Sequence, residues 1–379
     1  MTDDRQGKKG TMKSKTRSLI TILFLLAMLV CVCSITAFGE DRGVEVVANQ
    51  GEQKTVTEIS GVKTDSADAV TVKANGEGSD ASAVIGGDVE SDKGHGLVIE
   101  ADQGKATAVI NGQIETENQE GIEAKADNGG TINVKVDGDV ESDGDASIDA
   151  EAINGSKISI VVGSEAEGKE EGLDLKVSGG SSIDVVVKDK IEGDKAGIVT
   201  NACTPDCDGT VNVTAWKIVV RKDGGGKEFV ALDHNNAINS AFEKTIKYII
   251  RIKNPEYISL PGLEKGEYGY TAYEGDTVKV RINIPDGYEL EHAYWDDDEE
   301  LELIKGDDGF WYVRIPKGGG VTLSVELDDD DDDDEDSGEG YRAASPNTGD
   351  KEDLIMWSVV MLAAVALLAG MIRKRALNR

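Results

Sequence analysis

The stretch Gly121-Ile122-Glu123-Ala124-Lys125-Ala126 decides the fold, because it recurs in similar form along the first half of the chain. The apolar residue that leads each copy recurs at steps of 26, 27, 25, 26, 25 and 25 residues. The lead positions are Val44, Val70, Leu97, Ile122, Ile148, Leu173 and Ile198. A repeat of this length is typical of a stacked solenoid.

Each copy alternates apolar and polar residues, which predicts a strand with one buried face. A turn follows (residues 127–130), and then a second alternating run (residues 131–136). A third short segment carries an apolar residue in register at Val62, Val89, Ile114, Val140, Ala166, Ile191 and Ile218. Three short strands per repeat predict one coil of a parallel β-helix, and seven coils at about 4.8 Å each make a stack about 34 Å long.

Two other repeat folds are excluded by residue content. Helical repeats fail because glycine and β-branched residues are too frequent and no 3.6-residue apolar stripe runs through the copies. Leucine-rich repeats fail because their leucine and asparagine spacing is absent. The predicted fold class is all-β: a parallel β-helix of about seven coils over residues 43–220, then a small β domain and a C-terminal single membrane-spanning helix.

The formal net charge of −33 excludes nucleic acid as a partner, because phosphate binding needs a positive field. No arginine occurs between Arg42 and Arg221, and no aromatic residue occurs between Phe38 and Trp216. All nine tyrosines lie at or after Tyr248. These shifts in composition predict a domain boundary near residue 220.

The solenoid sequence shows no catalytic constellation, and we expect neither an enzyme nor a cofactor. Cleavage of acidic polysaccharides needs a base, often arginine or lysine, beside carboxylates, whereas this solenoid lacks arginine and lacks aromatic rings before Trp216. Turn preference explains the acidic residues of segments such as 136–143. His95, alone before a lead strand, is expected to be a surface residue. The alternative is a carbohydrate-active β-helix, a polysaccharide lyase or hydrolase.

Cys203 and Cys207 lie in the turn of the last coil and are the only cysteines expected in the exported chain. An oxidising environment favours a disulfide between them, and two free thiols are the alternative. A metal site needs more ligands than this pair supplies, and the nearest histidine is His234. We therefore predict no metal site.

Residues 1–40 have the form of a secretory signal peptide. Lys13, Lys15 and Arg17 form its basic start, residues 19–32 its apolar core, and residues 37–39 a small-x-small cleavage site. We expect the exported chain to begin near Glu40. An uncleaved anchor helix is the alternative.

Residues 221–255 are predicted to leave the solenoid as a capping helix and a connector. Asn236 can cap a short helix, whose apolar stripe is Ile238, Ala241, Phe242 and Ile246. Such a helix would cover the open edge of the last coil. Residues 248–252 then read as a strand.

Residues 256–327 are predicted to form a small, aromatic-bearing β module. Residues 277–284 alternate strictly, and residues 311–315 and 321–327 are further strands, joined by Gly318-Gly319-Gly320. The stretch resembles the internalin B-repeat and related bacterial repeat modules at Tyr273, Glu274-Gly275-Asp276-Thr277-Val278, Pro285-Asp286-Gly287-Tyr288 and Trp295. The acidic residues 296–300 depart from that pattern. The resemblance implies a spacer or adhesive module without catalytic residues.

Residues 328–345 form an acidic linker that opens with an unbroken aspartate run at 328–334. Like charges at this density repel one another and extend the chain. Calcium binding by this run is a second hypothesis, although the spacing of an EF-hand is absent.

Residues 345–379 have three parts in a fixed order. Ser345-Pro346-Asn347-Thr348-Gly349 comes first, residues 354–372 are long and apolar enough to span a bilayer, and a basic tail at 373–375 follows. This ending resembles the sorting signal of Gram-positive wall-anchored proteins. The resemblance implies cleavage by a sortase between Thr348 and Gly349 and attachment to peptidoglycan. A plain single-pass membrane protein is the alternative.

These features together predict a cell-wall-anchored surface protein, either an adhesin or a display and spacer protein. Its expected partners are the sortase, peptidoglycan, the membrane through residues 354–372 before sorting, and a surface ligand that is a glycan or a protein.

Overall fold

The protein is described by a computed structural model that covers residues 43–202, 208–221, 231–233, 242–295 and 301–329. These residues belong to one compact unit that ends at Asp329, and they form strands and turns without a helix. The N-terminal part is a parallel β-solenoid of about seven coils, as the sequence predicts.

Strands are numbered in chain order. The first strands of successive coils are β1 Val44–Ala48, β4 Val70–Asn75, β7 Leu97–Asp102, β10 Ile122–Asp127, β13 Ile148–Ala152, β16 Glu171–Val177, β18 Ala196–Ala202 and β20 Ala231–Asp233. The second strands are β2 Gln53–Glu58, β5 Asp80–Ile85, β8 Lys105–Ile110, β11 Thr131–Val136, β14 Lys157–Val162, β17 Ser181–Gly193, β19 Gly209–Val220 and β21 Phe242–Ile252. The third strands are β3 Val62–Thr64, β6 Val89–Ser91, β9 Ile114–Thr116, β12 Val140–Ser142 and β15 Ala166–Gly168, and the C-terminal ends of β17 and β19 continue this series.

The predicted register is confirmed along the stack. Ile122 pairs with Leu97 on one side and with Ile148 on the other, and every first strand is parallel to the next. The third-strand residues pair in the predicted order, for example Val140 with Ile114 and Ala166. Because strand side chains alternate, this register points the apolar columns inward and fills a continuous core.

The prediction of a capping helix is wrong for Phe242 and Ile246. Both lie on β21, which pairs in parallel with β19 and extends the second-strand sheet by one strand. Because β20 also pairs in parallel with β18, the solenoid sheets continue past the predicted boundary near residue 220. Apart from Ile249, the apolar residues from Phe242 to Ile252 fall at even-numbered positions, so a period of two describes the segment as well as the helical stripe did. Residues 234–241 lie outside the described residues.

The C-terminal module consists of two sheets. Its strands are β22 Ile258–Ser259, β23 Tyr270–Ala272, β24 Thr277–Ile282, β25 Tyr288–Trp295, β26 Leu301–Glu302, β27 Ile304–Lys305, β28 Trp311–Arg314 and β29 Thr322–Asp329. One sheet has the order β22-β24-β28-β27. In the other, β29 pairs with β25 and with β21, so a strand of the solenoid also belongs to the module.

A glycine turn of the module covers the end of the solenoid. The amide of Ile218 donates to the Gly318 carbonyl at 2.9 Å, and the amide of Gly320 donates to the Trp216 carbonyl at 2.8 Å. The Trp216 indole also donates to the Val321 carbonyl at 3.3 Å. The module therefore provides hydrogen-bond partners for backbone groups at the end of the solenoid, which the predicted helix was expected to cover.

Candidate functional site

The outward face of the first-strand sheet carries a column in which charge alternates from coil to coil. We call it the alternating column: Lys73, Glu100, Lys125, Glu151 and Lys176. Lys73 and Glu100 form an ion pair at 2.9 Å. Opposite charges on neighbouring strands stabilise a sheet, so this face is electrostatically compensated.

The outward face of the third strands lacks that compensation. The middle residue of successive third strands forms a glutamate column: Glu90, Glu115, Glu141, Glu167 and Glu192. The acidic residues of this region were expected in turns, whereas Glu141 lies on strand β12. Like charges directly opposite each other destabilise a sheet, so this column works against the fold.

Cations compensate the glutamate column at its two ends. Lys63 contacts Glu90 at 2.6 Å at the N-terminal end. Arg221 contacts both Glu167 and Glu192 at the C-terminal end, and Lys190 lies 2.6 Å from Glu192. Among the described residues, no lysine or arginine forms an ion pair with the two central members, Glu115 and Glu141.

A groove of about 260 Å³ runs beside the centre of the glutamate column. Asp92, Glu117 and Asp143 line it together with Glu115 and Glu141. Partial burial raises the pKa of Glu141, and the neighbouring carboxylates of Glu167 and Glu115 raise it further. The groove is therefore an anionic surface whose central carboxyl binds a proton more readily than an isolated one.

The two columns allow a matched test at neutral pH and low salt. Glu141→Gln should raise the free energy of unfolding by about 0.5 kcal/mol, because it removes repulsion from like charges. Glu100→Gln, the same chemical change in the alternating column, should lower it by about 0.5 kcal/mol, because it removes the partner of Lys73. Urea unfolding measures both values. If the two free energies of unfolding changed in the same direction, or if the changes persisted at about 1 M salt, the assignment of repulsion to the glutamate column and attraction to the alternating column would be contradicted.

His95 lies in a column of turn residues, between Asp68 of the previous coil and Glu120 of the next. Its Nδ1 is 2.9 Å from Asp68 Oδ1, and its Nε2 is 3.0 Å from Glu120 Oε2 and 3.9 Å from Glu123 Oε2. The side chain is only 20% exposed, so the expectation of a plain surface histidine is corrected. The buried Glu120 Oε2 has no hydrogen bond of standard geometry within the described chain, and the imidazolium is what offsets its charge.

These contacts raise the pKa of His95 from 6.5 to about 9, with Glu120 contributing most and Asp68 adding to it, against the cost of desolvation. A raised folded-state pKa stabilises the fold fully below pH 6.5, and the stabilisation is lost as the pH rises through about 9. His95→Gln should therefore cost about 2 kcal/mol near pH 6 and little near pH 10.

Thermal unfolding across this pH range, with His292→Gln as the control, measures the effect. His292 is 54% exposed, so its substitution should give only a small change in the unfolding temperature. If the unfolding temperatures of His95→Gln and of the unsubstituted chain differed by the same amount from pH 6 to pH 10, the imidazolium would not link these coils.

Three further carboxylates approach one another closely. Ligand atoms of Asp145, Glu170 and Glu171 lie within 4.8 Å of one another, so these residues could hold a divalent cation. Lys195 already forms an ion pair with Glu170. This lysine supplies charge compensation of the kind that a bound cation would give.

Several predicted site residues lie outside the described residues. These are Cys203 and Cys207, the sorting motif at 345–349, and the apolar segment 354–372. Within the part of the chain that the structure describes, no helical segment has the length and hydropathy of a membrane span. The disulfide, the sorting motif and the anchor stay predictions.

Comparison of the chain with protein-family models, with curated proteins and with solved structures found no match.

Sequence reasoning missed the glutamate column, although the signal was present. The residue after each third-strand apolar marker is glutamate in five successive coils, from Glu90 to Glu192. The His95 contacts had a signal too, because Asp68, His95 and Glu120 each lie two residues before a lead residue. Placing the polar residues in register, as was done for the apolar ones, would have found both groups.

Proposed function

We propose that this chain is a cell-wall-anchored surface protein that acts without catalysis, as a rigid adhesin or spacer. The observation that carries the proposal is the continuity of the strand ladder. Coil follows coil in parallel register up to β19, β21 pairs with β19, and β29 pairs with β21. The backbone hydrogen bonds therefore connect the strand that ends at Asp329 with the first coil.

This connection suits a protein that holds a surface away from its attachment point. A stack in which each coil contacts only its neighbours keeps its length when every interface is satisfied. Asp328 and Asp329, predicted to open the acidic linker, instead end strand β29. The rest of the predicted linker, the sorting motif and the apolar segment follow in the sequence. Attachment at Thr348 would join the described part of the chain to the wall through the sequence that follows Asp329.

Cell fractionation tests the anchoring. In a Gram-positive host with a sortase of matching specificity, the chain should be recovered covalently bound to purified wall and released by muramidase. Pro346→Ala with Thr348→Ala should move it to the membrane fraction or the medium, whereas Asn347→Ala, at the variable position between these two residues, is the control. Recovery of the unsubstituted chain in the membrane fraction alone would refute wall anchoring.

A carbohydrate-active enzyme is the second candidate, and one observation favours it. Glu115 and Glu141 occupy the same position on adjacent strands, which lie about 4.8 Å apart. The pKa of Glu141 is raised by burial and by its acidic neighbours. Glycoside hydrolysis uses two nearby carboxyl groups, of which the general acid has a raised pKa.

Incubation of the chain with acidic and neutral polysaccharides separates the two functions. The surface-protein proposal expects no new reducing ends and no unsaturated products. Turnover that is lost in Glu141→Gln and in Glu115→Gln, with Glu100→Gln as the active control, would establish the enzyme instead.

A further inference from the structure

The outer face of the sheet β22-β24-β28-β27 carries a cluster of cations and aromatic rings, in contrast to the net charge of −33 of the chain. The register places Lys279 beside Tyr312 and Thr277 beside Arg314. Arg281 lies one outward position beyond Lys279, next to Phe310. We call these residues the basic face: Lys279, Arg281, Phe310, Tyr312 and Arg314.

The core does not require the basic face. Val278, Val280 and Val313, which alternate with these residues along β24 and β28, are the buried side chains that pack inward. Ile304, which pairs with Tyr312 on the outward side, is 72% exposed. The face is thus an open surface with both charge and apolar area.

Aromatic rings hold two of the cations in place. Lys279 Nζ lies 3.7 Å from the centroid of the Phe310 ring, and the Arg281 guanidinium lies 5.0 Å from the same centroid. Asp308 Oδ2 contacts Lys279 at 2.8 Å and accepts a hydrogen bond from the Tyr312 hydroxyl at 2.7 Å. Side chains that are already held in position lose less entropy when they bind a ligand.

The remaining positive charge is available to a ligand. Among the described residues, no carboxylate forms an ion pair with Arg281 or Arg314, and both side chains are exposed. Outward positions along a strand repeat about every 7 Å. Arg314 is level with Thr277, so Arg314, Lys279 and Arg281 occupy three successive outward positions that extend over about 13 Å. A line of cations of this length matches a linear polyanion better than a single anionic group.

We propose that the basic face binds an acidic polysaccharide. Arginine binds carboxylate and sulfate groups through paired hydrogen bonds, and the exposed Ile304 and the half-buried Tyr312 offer apolar contact to the sugar rings. The inference rests on the proposed function, since it names the ligand of the surface protein and places it on the module instead of the solenoid. The acidic solenoid repels such a polymer, so binding is confined to this face.

Three polymers test the ligand class: polygalacturonate with sugar and charge, dextran with sugar alone, and poly-glutamate with charge alone. The chain from residue 40 to 348 contains every residue that the structure describes, from 43 to 329. Immobilised on a sensor surface, it should bind polygalacturonate saturably, bind poly-glutamate at least tenfold more weakly, and not bind dextran. Binding should weaken as salt is raised, because the arginines are exposed.

Arg281→Glu with Arg314→Glu should lower the affinity for polygalacturonate at least tenfold. The matched control, Lys105→Glu with Lys157→Glu, changes the net charge equally at exposed positions of the solenoid and should have little effect. Phe310→Ala should weaken binding about threefold to tenfold, because Lys279 and Arg281 lose the ring that holds them. Circular dichroism of each variant confirms that the chain is folded.

If both double variants lost affinity for polygalacturonate equally, binding would depend on net charge and not on the basic face, and the proposal would be overturned. It would also be overturned by poly-glutamate binding as tightly as polygalacturonate, especially if removal of residues 330–348 raised both affinities tenfold. The basic face would then be a binding surface for the acidic residues 330–348 of the same chain. Failure of the proposed function is a separate result, because it is measured by recovery from the cell wall and not by this binding.

Discussion

Ile122→Asp is expected to abolish cooperative folding of the solenoid or to lower its free energy of unfolding by about 5 kcal/mol. Ile122 is 0% exposed and lies between Leu97 and Ile148 in the core column. A carboxylate at this position would face apolar side chains of both neighbouring coils without a partner. Because each coil is stabilised by its neighbours, damage in the middle of the stack reaches the coils on both sides.

Two matched variants isolate the cause of that loss. Ile122→Val keeps the apolar column, which already contains valine at Val44 and Val70, and should cost about 1 kcal/mol. Asn133→Asp places the same carboxylate on a half-exposed outward position of the same coil and should cost less than 1 kcal/mol. Thermal and urea unfolding measure all three. A loss for Ile122→Asp no greater than that for Asn133→Asp would mean that residue 122 does not face the core.

The solenoid could be predicted because its information is local and repeated. In the copy led by Ile122, alternation marks Ile122, Ala124 and Ala126 as inward residues, and all three are buried. The period of 25 to 27 residues then states which residues of one coil lie above those of the next. An error in any one copy is corrected by the others, so the register of the seven predicted copies followed from the sequence.

The end of the stack carries no such redundancy. Trp216 and Val321 are 105 residues apart in the chain, and their contact occurs once. The segment from Phe242 onward fits both a helical stripe and a strand, and only the pairing of Phe242 with Gly209 decides between them. A local pattern that fits two structures is decided by tertiary contacts, which a single sequence does not display.

The candidate sites were missed for a different reason. Glu115, Glu141 and His95 occur in the same repeats that revealed the fold, but their roles depend on which polar residues lie above one another. Turn preference gave each acidic residue an adequate explanation by itself. The electrostatic contrast between the glutamate column and the alternating column becomes visible only when matched positions are compared along the stack.

Gly319→Ala is expected to lower the free energy of unfolding by about 3 kcal/mol and to separate the glycine turn from the last coil. Gly319 has a φ of +71°, which disfavours any side chain. A Cβ built there would lie 2.2 Å from Tyr248 Cδ1 and 2.5 Å from the Trp216 carbonyl oxygen. Tyr248 is only 2% exposed, so its ring has little room to move away.

Gly309→Ala separates the two contributions to this loss. Gly309 has a φ of +79° but no heavy atom within 4 Å of the added Cβ, so only the backbone cost of about 1 kcal/mol remains. Hydrogen exchange locates the damage, because the Ile218 amide donates to Gly318 and should exchange faster in Gly319→Ala. The Ile122 amide, in the middle of the stack, should exchange as before. Equal stability losses in the two variants, with Ile218 still protected, would show that this turn does not close the solenoid. The capping function would then have to be sought in another part of the chain.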